Sequence, residues 1–71
     1  MLPDRLVAMV NQIGEFFASQ GDADAAAEAV ADHLRRFWDP RMRAEIVAYA
    51  RQGGAGLDTL ARAAVERLGD G

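Results

Sequence analysis

Residues 33–43 read HLRRFWDPRMR, and the Asp39-Pro40 pair inside this stretch decides how the chain is divided. The residue before a proline is pushed out of helical torsion angles, while proline itself suits the first position of a helix. One helix therefore has to end at Phe37-Trp38, and another starts at Pro40 with Asp39 as its cap. Upstream, Ala23, Ala26, Val30, His33, Leu34 and Phe37 share one face of a helix over 22–38 that Asp22 can cap. Downstream, Met42, Ile46, Tyr49 and Ala50 form the inner face of a helix over 40–52, which stops at Gly53-Gly54.

The same period extends to both ends of the chain. Leu6, Met9, Val10, Ile13, Phe16 and Phe17 recur at three- and four-residue steps and predict a helix over 4–19, with Asp4 as cap and Gly21 as terminator. Val7, Gly14 and Ala18 give this helix a flank of little bulk, which lets a neighbouring helix backbone come close. Asp58 can cap a fourth helix over 58–68 with Leu60, Ala64 and Leu68 inward, followed by a frayed Gly69-Asp70-Gly71. No stretch alternates as a strand would. The expected fold is all-α: a single domain over residues 1–71, built as a small bundle of four short helices with antiparallel neighbours.

Seventy-one residues with fifteen alanines among thirty-six apolar residues leave only twenty-one large apolar side chains for a core. A domain of this size rarely reaches more than roughly 3–5 kcal/mol of stability alone. There is no cysteine, so no disulfide or cysteine-held metal can staple it, and association with a partner is the remaining support. The apolar runs are far too short to span a bilayer, and Met1 to Arg5 lacks the pattern of a secretory signal. A cytoplasmic location with no membrane role is expected. The net charge of −3 argues against a nucleic-acid partner.

The residue inventory leaves little for catalysis. His33, Ser19 and Thr59 are each the sole residue of their type, and lysine is absent as well as cysteine. No nucleophile has a base arranged beside it, and one histidine without clustered acids makes no metal shell. The acids sit at helix starts, where capping explains them. Gly53-Gly54-Ala55-Gly56 lacks the strand and the GK[ST] ending of a phosphate loop. No catalytic, cofactor-binding or metal-ligating residue is expected in this chain.

Charge is concentrated where the fold turns. Residues 35–43 carry +3, the rest of the chain −6, and all eight basic residues are arginine. Arg35 and Arg36 suit the negative end of the second helix. Arg41 and Arg43 fall in the first turn of the third, where the dipole disfavours them by a few tenths to about 1 kcal/mol each. Arginine forks around a helix N-terminus favour anionic groups. Trp38 is either the keystone of the core or, as tryptophan and arginine often are, an interface anchor. Arg35, Arg36, Phe37, Trp38, Asp39, Arg41, Met42 and Arg43 together form the candidate partner-binding corner. An uncovered Trp38 edge would also favour a homodimer of the isolated chain.

HLRRFWDPRMR, preceded by MVNQIGEFF (residues 9–17) and followed by GGAGL (residues 53–57), resembles the delta subunit of cytoplasmic, NAD-dependent, molybdenum-containing formate dehydrogenases. The blocks stand in that family's order and spacing across most of the chain. Where the family usually reads ANQI, this chain has Val10-Asn11-Gln12-Ile13. The resemblance implies an accessory chain without a redox centre that associates with a large alpha subunit and supports assembly or stability of the complex. It further implies that the complex carries bis-molybdopterin guanine dinucleotide, iron–sulfur clusters, flavin mononucleotide and NAD. In another reading, the arginine cluster grips phosphate groups of the molybdenum cofactor during its insertion, as a transient chaperone.

Overall fold

The computed structural model describes residues 4–70, with the side chain of Asp70 outside that description. Four helices follow one another: α1 (Asp4–Phe17), α2 (Ala23–Phe37), α3 (Pro40–Arg51) and α4 (Thr59–Asp70). Among the described residues there is no strand. The expected features at Met1 to Pro3 and at Gly71 lie outside the described residues.

Local chemistry explains the boundaries. Asp22 Oδ1 accepts the Ala25 N–H at 2.7 Å, and Asp39 Oδ1 accepts the Met42 N–H at 2.9 Å, so two of the four expected caps start their helices. Asp4, expected as a cap, is instead a first-turn residue of α1, and Asp58 precedes α4 with its backbone carbonyl accepting the Arg62 N–H. α1 ends two residues before the expected Ser19, because the Gln20 N–H turns back to the Phe17 carbonyl at 2.9 Å and Gly21 takes φ +97°. α4 runs on through Gly69, where fraying was expected. A Cβ at Gly69 would stand 3.0 Å from Val47 Cγ1, so the missing side chain lets this last turn pack against α3.

Val10, Val30, Leu34, Trp38, Ile46, Leu57 and Val65 form the core with Ala31, Ala61 and Ala64. α2 and α4 make the most extensive contact, and the buried alanines (Ala26, Ala27, Ala31, Ala61 and Ala64) all lie on these two helices. α2 and α3, although consecutive, pack far less on each other than either does on α4. Gly14 is buried with Leu60 and the Ala61 nitrogen 3.7–3.9 Å from where its Cβ would be, so α4 is the close neighbour that the small flank of α1 anticipated.

Asn11 fastens α1 to the loop between α3 and α4. Its Nδ2 donates to the Gly56 carbonyl and its Oδ1 accepts the Asp58 N–H, both at 2.9 Å. In that loop Gly53, Gly54 and Gly56 have positive φ, and the Tyr49 hydroxyl donates to the Ala55 carbonyl at 2.5 Å. The inward face of α4 is Ala61, Ala64 and Val65; Leu60 and Leu68, expected inward, are half-buried at its margins.

Candidate functional site

The Asp39-Pro40 corner holds its residues in two sets, one turned into the molecule and one turned out. Trp38 caps the end of α2, with its N–H bonded to the Leu34 carbonyl at 3.0 Å and its backbone extended at φ −90°, ψ 140°. That conformation swings the ring away from the line of α2 and into the core, where only 6% of the residue is exposed. Of its two readings, core keystone or interface anchor, the geometry places it in the chain's own interior, and there is no uncovered Trp38 edge. Met42 packs against the same core, and Asp39 spends one carboxylate oxygen on its cap.

Two arginines of the corner are engaged within the chain. Arg35 reaches the Glu28 carboxylate at 3.4 Å and donates to the Arg67 carbonyl of α4 at 3.4 Å. Arg67 completes this network by bridging Asp24 and Glu28, and the Asp24 carboxylate in particular holds its guanidinium above the ordinary arginine range. Arg43 is half-buried; its Nη1 points to the Arg35 carbonyl at 3.5 Å, at the long limit of a hydrogen bond, and its Nε is buried without a partner. Its cation therefore lies at the C-terminal end of α2, where the helix dipole favours it. The repulsion expected from the start of α3 is offset inside the fold, and the four arginines do not converge on one point.

Arg36, Phe37 and Arg41 face outward. Arg36 pairs loosely with Asp32 at 3.9 Å, and no described carboxylate lies within ion-pair distance of Arg41. Phe37, expected on the inner face of α2, is 71% exposed, because it occupies the final residue of that helix. Phe16 is likewise 70% exposed. At 3.6 residues per turn it lies about 120° round α1 from the buried Val10, outside the stripe to which its spacing assigned it.

These exposed rings belong to one strip. Phe16 meets Phe17 edge-on at 5.1 Å between ring centroids, Phe17 lies 6.0 Å from His33, and His33 lies 4.7 Å from Phe37. The strip crosses from α1 to the end of α2 and reaches the outward side of the corner. Sequence reasoning missed it as a surface, although the i,i+4 spacing of His33 and Phe37 and the angular offset of Phe16 were both readable. Apolar rings left open in a row mark interaction sites more often than single exposed residues do. Among the described residues, no three side chains come together that could hold a metal ion, and no helix is long and apolar enough to cross a membrane.

Fold and surface together define a small all-helical protein with a partly exposed aromatic strip that runs to the outward arginines Arg36 and Arg41. Residues 5–65 match the family described as NADH-dependant formate dehydrogenase delta subunit FdsD, and the chain belongs to that family. As a delta subunit it is a component of a formate dehydrogenase complex made with other subunits. Comparison with curated proteins and with solved structures found no match.

Proposed function

We propose that this chain is a non-catalytic accessory subunit that supports assembly or stability of the molybdenum-containing complex by docking on its catalytic alpha subunit. The observation that carries the reading is the aromatic strip from Phe16 to Phe37, with two phenylalanines about 70% exposed on a chain that has few large apolar residues to spare. Phe37 and Phe16 enter apolar recesses on the partner, while Arg36 and Arg41 meet carboxylates at the rim. Trp38, Asp39, Met42 and Arg43 act from behind, by holding the end of α2 and the start of α3 in place. The molybdopterin, iron–sulfur and flavin groups and the NAD site belong to the other chains in this reading, and the work is done in the cytoplasm.

Co-expression with a tagged alpha subunit tests it. Wild-type chain is expected to co-purify and to raise formate–NAD activity in the same lysate. Phe37→Asp is expected to lose co-purification while keeping its helical circular dichroism. Retention of both binding and activity by Phe16→Asp/Phe37→Asp would remove the strip from the interface. Release of molybdenum cofactor from the purified chain, with no alpha subunit present, would replace docking by cofactor carriage.

A further inference from the structure

A second surface lies on the other side of α3. Ala44 and Ala48 are exposed and Val47 is half-buried along one face of that helix, with Arg43 at one end of the row and Arg51 at the other. Eight residues of helix separate the two arginines by about 12 Å. The facing wall comes from α4, where Leu68 and Gly69 line the same groove; Arg62 and Glu66 stand further along it. A Cβ at Gly69 would sit 3.4 Å from Arg51 Nη2, so the guanidinium lies across the glycine and along the groove.

The charges of this groove are unbalanced. No described carboxylate is within ion-pair distance of Arg43, Arg51 or Arg62, whereas Arg35, Arg36 and Arg67 all have carboxylate partners. A chain with net charge −3 thus keeps a positive, apolar-floored channel on one face. We infer that this groove receives an amphipathic helix of a partner subunit, with small apolar residues against Ala44, Val47 and Ala48 and carboxylates toward Arg51 and Arg62. Helix-in-groove recognition uses that pattern, and charge at one end fixes the register. A second copy of this chain fits poorly. Its run of acids at helical spacing, Asp24, Glu28 and Asp32, is already held by its own arginines.

The inference rests on membership of the complex proposed above, and the test separates the two. The chain is co-expressed with the other formate dehydrogenase subunits, carrying a photo-crosslinking residue at Ala48 in the groove or, as a control, at Ala25, which is exposed on α2. The Ala48 probe is expected to join a partner segment that carries two or more carboxylates at helical spacing. Arg51→Glu is expected to lower that yield by about tenfold, as breaking an interfacial charge pair does. Arg51 is exposed, so this single change keeps the test valid even where Arg43→Glu disturbs the corner. An assembled complex with no crosslink from Ala48, or with one to a segment lacking carboxylates or to a second copy, overturns the groove assignment alone. A chain that never co-purifies overturns both readings.

Discussion

Two adjacent aromatic residues should respond to truncation in opposite ways. Trp38 is 6% exposed at the centre of the corner, and replacing a buried tryptophan by alanine costs about 3–5 kcal/mol. The total stability available to so small a core is roughly 3–5 kcal/mol. Trp38→Ala should therefore take the chain from about one unfolded molecule in a thousand to a large unfolded fraction in water. Phe37 is 71% exposed. Full burial of such a ring is worth about 1.5–3 kcal/mol, so less than about 1 kcal/mol is at stake in Phe37→Ala. Urea titration followed by far-ultraviolet circular dichroism measures both. In the Phe37 variant Trp38, the sole tryptophan, also reports by a red shift of its emission on unfolding. A Trp38→Ala midpoint close to wild type, or a Phe37→Ala loss as large as that of Trp38→Ala, would refute the inward and outward assignment.

Three further outcomes are expected. Asn11→Ala removes both bonds from α1 to the Gly56–Asp58 segment and should cost about 1–3 kcal/mol, with faster hydrogen exchange at the Asp58 amide; Asn11→Asp, which keeps the acceptor, should lie between. Gly54→Ala places a side chain at φ +59°, 3.0 Å from Arg62 Nη1 and 3.1 Å from Leu57 Cδ1, and should lower the thermal midpoint by the equivalent of about 1–2 kcal/mol or more. Arg67→Gln breaks contacts to Asp24 and Glu28, so its midpoint should fall at low ionic strength; the gap from wild type should narrow in 1 M salt, and a gap unchanged by salt would contradict an electrostatic role.

The Asp39-Pro40 pair, the Asp22 and Asp39 caps and the glycine stops were legible because each is a local event, decided within a few residues. The four helices and the close approach at Gly14 followed from the same short-range rules. Residue partners across the fold were not legible. Arg43 was expected to repel the start of α3, and only the arrangement of the helices shows that the end of α2 lies beside it. Asn11 drew no attention as a polar residue on an amphipathic helix, because its two partners lie 45 and 47 residues away. The offset of Phe16 from the buried stripe was legible in its angle, whereas Phe37 had the spacing of a core residue. Whether such a ring is covered depends on where the neighbouring helix stops, which no periodicity encodes.

The alanine contact between α2 and α4 bears on how long the chain persists in a cell. Alanine loses no rotamer freedom on folding, yet it also contributes little apolar area, so helices joined this way come together and part with small energies on either side. Any partner that binds only the folded form then governs the folded population; at a hundred times its dissociation constant it adds about 2.7 kcal/mol, comparable with what the chain supplies alone. Copies made in excess of the partner would meet proteases in a partly open state, while assembled copies would be shielded. A core this lean would thereby tie the lifetime of the subunit to its assembly.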